Sequence, residues 1–157
     1  MKVGRVTCSD RASAGVYQDK GGPEIERVFK SIWTDPVDFE AKIVPDEQAE
    51  IAATLRFLAD DAHCPLIITT GGTGFAKRDV TPEATLSVLD RELPGFGEIM
   101  RSVSFAVAPT SILSRATAGT RGRSLIINLP GNPKAIAQCL PPLLPAIREA
   151  LRHLLES

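Results

Sequence analysis

Histidine and cysteine are scarce in this chain of 157 residues, with two of the first and three of the second. Two histidines, His63 and His153, exclude a multi-histidine metal centre within one chain. Cys8, Cys64 and Cys139 lie far apart, and an odd count without a C-x-x-C pair excludes a disulfide framework and a zinc knuckle. A reducing, cytoplasmic setting is the expectation. No apolar run nears the about 18 residues that span a bilayer, and the start of the chain lacks the roughly 7–15-residue apolar stretch of a secretory leader. Neither sign of charge dominates: 18 Lys+Arg against 19 Asp+Glu leave a net charge of -1. That balance argues against broad nucleic-acid binding, yet leaves room for a local basic pocket. No G-x-S-x-G, H-E-x-x-H or calcium-loop motif occurs, so covalent hydrolysis and zinc chemistry fit poorly.

What is present is ordinary for a globular domain: 43% hydrophobic and 24% charged residues. The length predicts one domain over residues 1–157 that needs no disulfide or metal to fold. Short apolar runs alternate with helical patterns. Lys2–Cys8 and Phe39–Val44 read as strands, and Pro65–Thr70 reads as a strand buried on both faces. Ile25, Val28, Phe29 and Ile32 mark one helix face, and Ile51, Leu55 and Leu58 another, within Glu47–Ala62. Ser9–Gly22 reads as a mobile loop. Thr81 suits a helix N-cap before Pro82 and Glu83, and Gly95–Phe105 forms a weaker helix. Arg115–Gly119 and Ser124–Leu129 suit two hairpin strands around residues 120–123. Asn132-Pro133 starts a last helical stretch that Pro141 and Pro142 must interrupt. The alternation predicts an α/β fold, a three-layer α/β/α sandwich with a mostly parallel sheet and one antiparallel strand.

Ligands of open α/β sheets bind beyond the carboxyl ends of the strands. Four segments follow predicted strands there: residues 9–11, 45–47, 71–79 and 130–134. The run GGTGFAKRD from Gly71 to Asp79 offers amides free of Cβ obstruction, as a phosphate cradle requires. It matches neither a Walker A loop nor the dinucleotide fingerprint, so an oxidoreductase of that type is a poor fit. Asp10, Asp46 and Asp79 are carboxylates at strand ends, suited to Mg²⁺-assisted phosphoryl or nucleotidyl transfer or simply to capping helices and turns. Ser111, Ser114 and Arg115, and the Asn132–Lys134 turn, can meet an anion or serve as plain loop and cap.

Four blocks in register, TTGGTGFAKRDVTPEAT from Thr69, PGFGEIMR from Pro94, SRATAG from Ser114 and LPGNPKA from Leu129, resemble the molybdenum-cofactor biosynthesis family. CSDR at Cys8 and PDEQ at Pro45 look like its MogA branch of molybdopterin adenylyltransferases. The resemblance implies a three-layer fold, a homotrimer, and AMP transfer from ATP to the molybdopterin phosphate with Mg²⁺. It also implies hand-over of the product to a MoeA-type insertase. By position it makes Asp46 and Asp79 the catalytic, Mg²⁺-handling pair. It gives Gly71, Gly72, Thr73, Gly74, Pro94, Gly95 and Glu98 to the nucleotide and phosphates. Asp10, Arg11, Ser114, Arg115, Asn132, Pro133 and Lys134 fall to molybdopterin. Lys77 stands where many relatives have proline or arginine. The competing readings are a MoaB-like paralogue with little adenylylation and a molybdopterin scaffold without catalysis.

Overall fold

The computed structural model describes residues 1–157. Strand β1 (Lys2–Cys8) leads through a short α1 (Asp10–Ser13) to α2 (Gly21–Ile32) and β2 (Asp38–Val44). Helix α3 (Gln48–Arg56) runs on into a wider turn over Phe57–Asp61 and returns as β3 (Leu66–Thr70). Then come α4 (Thr81–Val88), β4 (Arg91–Glu92), α5 (Gly95–Phe105), β5 (Ala118–Arg121) and β6 (Ser124–Leu129). Helices α6 (Pro133–Cys139) and α7 (Leu144–Glu156) close the chain. The sheet order is β2-β1-β3-β6-β5-β4, and only β5 runs against the rest. The expected α/β class and its single reversed strand are both found.

Alternation along the central strands divides the core in two. Leu66 and Ile68 face one side with Leu125, Ile127 and Leu129, where they meet Ile25 and Phe29 of α2, Ile136 of α6 and Ile147 of α7. Ile67 and Ile126 face the other, against Ile51 and Leu55 of α3 and Val88 of α4. Every residue of β3 and β6 is buried, which is why PLIITT reads as a continuous apolar run. Each fully buried Leu, Ile or Phe here contributes about 1.5–3 kcal/mol of transfer free energy. The layers therefore lock the strands' carboxyl ends into one rim.

Several local expectations need correction. The first hairpin strand is Ala118–Arg121 rather than residues 115–119, because Arg115 is drawn off to the glycine loop, where its amide donates to the Thr73 carbonyl (2.8 Å). The two-residue β4 was not expected; too short to carry a period, it pairs Arg91 with Thr120 and Glu92 with Gly119. Thr81 is the first residue of α4 and not its N-cap. Its hydroxyl instead donates to the Gly71 carbonyl (2.9 Å), tying α4 to the loop. Ser9–Gly22 is not a plain loop, since it contains α1, capped by Ser9, and the start of α2. Pro141 and Pro142 do break the last helical stretch, forming a tighter turn over Pro141–Leu143.

Candidate active site at the strand ends

Three strand-end segments meet through two aspartates. The Asp10 amide donates to Asp46 Oδ2, and the Asp46 amide donates to Asp10 Oδ1, both at 3.0 Å. This exchange ties the end of β1 to the end of β2. Arg78, from the glycine loop, closes the triangle. Its Nε and Nη2 donate to the two Asp10 oxygens at 2.9 Å, and Nη2 also reaches Glu47 Oε1 at 2.9 Å. The fourth segment joins through Thr70, whose hydroxyl donates to the Pro130 carbonyl (2.8 Å), and through the Gly71 amide on the Leu129 carbonyl (3.3 Å).

The paired aspartates are shifted in opposite directions. The Arg78 guanidinium holds the Asp10 carboxyl below its usual range, helped by the Asp46 amide. Burial pushes the Asp46 carboxyl up, with the negative charges of Asp10 and Asp79 adding to it. Asp46 Oδ1 is buried and has no hydrogen-bond partner. A buried oxygen left unpaired costs free energy unless something supplies positive charge to it.

The glycines are required by close approach. Gly71 and Gly72 have φ of +94° and +66°, a region that L side chains rarely adopt. A Cβ on Gly71 would overlap the Cys8 carbonyl oxygen, and one on Gly72 would crowd Thr81 Oγ1 and lie 3.0 Å from Asp46 Oδ1. A Cβ on Gly74 would sit 2.8 Å from Asp79 Oδ2, which already accepts the Ala76 amide (2.9 Å). Arg115 braces this loop from outside. It donates from Nε to the Gly74 carbonyl and from Nη2 to the Asp79 carbonyl, both at 2.8 Å, and pairs with Glu83.

Two cavities flank the loop. The more enclosed, about 160 Å³, is lined among others by Thr7, Ser9, Tyr17, Lys20, Thr70 and Gly131. The larger, about 430 Å³, is bounded by Thr73, Gly74, Phe75, Asp79, Ser111 and Ser114. Asp10, Asp46, Asp79 and Gly71–Gly74 are thus assembled. Residues resembling one pterin-binding set are spread apart: Ser114 lines the larger cavity and Arg115 reaches the glycine loop, whereas Asn132, Pro133 and Lys134 follow Gly131, which lines the smaller. Asn132 Oδ1 caps that helix by accepting the Lys134 amide (2.9 Å). Arg11 lies over the Tyr17 ring, 5.6 Å from its centroid. Pro94 and Gly95 are not gathered to the loop; they line an apolar groove with Ile99, Pro142 and Leu143, and Glu98 is exposed on the first turn of α5.

Sequence reasoning passed over Arg5, Asp19 and Lys20, gave no separate role to Glu47 and Arg78 within their segments, and gave Thr81 only a helix cap. An arginine in the middle of β1, between Val3 and Val6, was the available signal for the first two. Arg78 was inside the motif, but nothing local shows that it turns back to Asp10.

These features define a three-layer α/β domain with a ligand crevice at the carboxyl ends of its parallel strands, split by a glycine loop. The family model described as "Probable molybdopterin binding domain" matches residues 4–149, and the chain belongs to this family of molybdenum-cofactor biosynthesis domains. The molybdopterin adenylyltransferase of Haemophilus influenzae is 56% identical over 140 residues, 89% of this chain and 71% of that protein. The Escherichia coli K12 enzyme of the same name is 54% identical over 89% of this chain and 72% of its own. Among solved structures, the molybdopterin biosynthesis enzyme MoaB of Thermus thermophilus superposes with a TM-score of 0.89 at 43% identity, covering 99% of this chain and 97% of that one.

Proposed function

We propose that this chain is a molybdopterin adenylyltransferase, a nucleotidyltransferase that moves AMP from ATP to the phosphate of molybdopterin and releases pyrophosphate. The observation that carries the reading is Asp46 Oδ1, buried and unpaired against Gly72 of the glycine loop. It is supported by the 50–56% identity to proteins bearing that name. An oxygen of the molybdopterin phosphate bonds to the α-phosphorus of ATP. The bond from that phosphorus to the bridging oxygen breaks, and its electron pair leaves with pyrophosphate. The nucleophile is already anionic, so no side chain needs to take its proton. The protein's part is to hold two anions in line and offset their charge.

Gly71, Gly72, Thr73 and Gly74 present backbone to the phosphates, while the Asp10–Asp46 exchange fixes the rim. Asp46 and Asp79 suit Mg²⁺, which commonly takes only one or two carboxylates and completes its shell with substrate phosphates and water. When bound, Mg²⁺ would neutralise phosphate charge. Lys134, Asn132 and Pro133 on one side, and Ser114 and Arg115 on the other, would meet molybdopterin. Arg11 and Asp10 would border it. Pro94, Gly95 and Glu98 lie away from the loop of their own chain, which is consistent with a homotrimer in which neighbours complete each site. The exposed apolar residues Phe105, Val107, Ile112 and Leu113 support such an assembly. The whole chain, 1–157, works as one domain in the cytoplasm and passes its product to a MoeA-type insertase; no helix is long and apolar enough to cross a membrane.

The test is an assay with purified protein, molybdopterin and ATP, with and without Mg²⁺, in which adenylylated molybdopterin is separated by chromatography. Mg²⁺-dependent product is expected. Tight molybdopterin binding without product would move the chain to the MoaB-like or scaffold reading. Asp46→Asn and Asp79→Asn should each keep the fold and lower kcat by about 10²–10³-fold, the size typical of a lost electrostatic group. Unchanged rates in both would remove them from the reaction.

A further inference from the structure

Phosphate substrates need cations, and three arginines at this rim are already engaged. Arg78 is paired with Asp10 and Glu47, Arg115 with Glu83, and Arg11 covers Tyr17. Lys20 lines the enclosed cavity beside Thr7, Ser9, Thr70 and Gly131, and takes part in none of the salt bridges there.

Its backbone is held tightly on both sides. The preceding residue, Asp19, is 9% exposed and pairs with Arg5 Nη1 at 3.1 Å; Arg5 is 12% exposed. Asp19 Oδ2 also accepts the Thr7 hydroxyl (2.9 Å), and Oδ1 accepts the Gly22 amide (3.0 Å). Arg5 completes its pairing on Glu26 Oε2 at 2.8 Å. The two residues after Lys20 are glycines for steric reasons. A Cβ on Gly21 would lie 2.8 Å from Thr70 Cγ2, and one on Gly22 would overlap the Arg5 guanidinium. Helix α2 can therefore start against the sheet end, and the Lys20 carbonyl accepts the Glu24 amide (3.2 Å). The backbone of Lys20 is thus held at the wall of a cavity by a buried ion pair, and Asp19, the carboxylate of that pair, lines the same cavity with its oxygens already taken up by Arg5, Thr7 and Gly22.

We propose that Lys20 binds phosphate oxygens of a substrate in this cavity, and that Asp19 is a positioning residue that places it there through Arg5 and Thr7. The assignment rests on the adenylyltransferase reading. Lys20 moves no proton; it offsets charge while the α-phosphorus bond forms to the molybdopterin phosphate and breaks to pyrophosphate. The phosphate belongs either to the nucleotide or to molybdopterin, and the two are separable by experiment.

Steady-state kinetics are measured with each substrate varied, together with binding of inorganic pyrophosphate and of molybdopterin by calorimetry. Loss of one charged hydrogen bond predicts a fall in kcat/KM of about tenfold or more in Lys20→Met, with substantial recovery in Lys20→Arg. A weaker affinity for pyrophosphate with a raised KM for ATP assigns the contact to the nucleotide. A weaker affinity for molybdopterin alone assigns it to that substrate's phosphate. Kinetics and both affinities within twofold of wild type would overturn the proposal. If wild-type protein forms no product, the adenylyltransferase reading fails, while the two affinities still decide on Lys20. For the positioning role, Asp19→Asn should lower kcat/KM several-fold in the wild-type background and less than twofold in Lys20→Met. Equal losses in both backgrounds overturn it. Should Asp19→Asn fail to fold, Thr7→Val removes one of the three hydrogen bonds and is read in the same pair of backgrounds.

Discussion

Two segments wall the crevice, and they are held there by opposite means. The connection from α1 to α2 is anchored by Arg5 and Asp19, both nearly out of solvent. The glycine loop is anchored by Arg78 and Arg115, whose side chains are 55% and 39% exposed. Both tethers use arginine–carboxylate pairs, Asp19 reaching the middle of β1, Arg78 reaching Asp10, and Arg115 pairing with Glu83 of α4 while it holds two loop carbonyls. A buried pair cannot lose one member without stranding the other in low dielectric, so it acts as an all-or-none constraint. An exposed pair is screened and exchangeable with water, so it sets a graded preference. The wall that carries Lys20 is thus rigid by construction, and the wall that carries Asp79 is adjustable.

The sharpest way to break this contrast is Arg5→Met. It leaves Asp19 and Glu26 without their partner, and stability should fall by about 3–5 kcal/mol in urea unfolding. A loss below about 1 kcal/mol would show that the buried tether is no stronger than a surface one. Arg115→Ala comes next. Solvent screening discounts its pair with Glu83, but two backbone carbonyls also lose their donor, so about 1–2 kcal/mol is expected. Amide hydrogen exchange should quicken over residues 74–79 and stay unchanged over residues 14–22. Faster exchange in both segments would merge the two walls into one unit. A smaller effect is expected from salt. Arg78→Gln should differ from wild type in thermal stability at low ionic strength and converge with it near 1 M salt, where the Debye length is about 3 Å. A difference that persists in high salt would place Arg78 with the buried class.

The smallest and most local test uses pH. Asp10, lowered by Arg78, contributes stability that is present above the ordinary carboxylate value near about 3.9 and is lost as pH falls through its lowered one. Asp46, raised by burial, has the opposite sign: its contribution is present below the ordinary value and is lost as pH rises through the raised one. Carboxyl NMR titration should therefore show Asp46 taking its proton at a higher pH than Asp10. The reverse order would mean that Arg78 does not govern the pair.

Much of this was legible in the chain. Strand β3 and helix α2 followed from runs and periods that burial imposes directly. Asp10, Asp46, the glycines and Asp79 could be placed near one another because each follows a predicted strand. Lys20 and Asp19 were missed for a definite reason. Gly15, Gly21 and Gly22 make the segment look loose, whereas Gly21 and Gly22 are there because Thr70 and Arg5 press against the backbone. Close packing and disorder both select glycine, and only the neighbours distinguish them. Residues 94, 95 and 98 show the converse: the motif places them in sequence, but Pro94 and Gly95 line a separate groove and Glu98 is exposed.

The sheet's two borders carry a consequence for how copies of this chain can associate. At one border β4 offers only Arg91 and Glu92, both exposed, a ladder too short to template another strand. At the other, β2 interleaves Asp38, Glu40 and Lys42 with its apolar residues, and Glu40 is already bound to Lys2. Charged and abbreviated margins of this kind discourage edge-to-edge growth. Such margins favour association through helices and loops over extension of the sheet, which makes fibrillar polymerisation of the folded protein a disfavoured outcome even at high concentration.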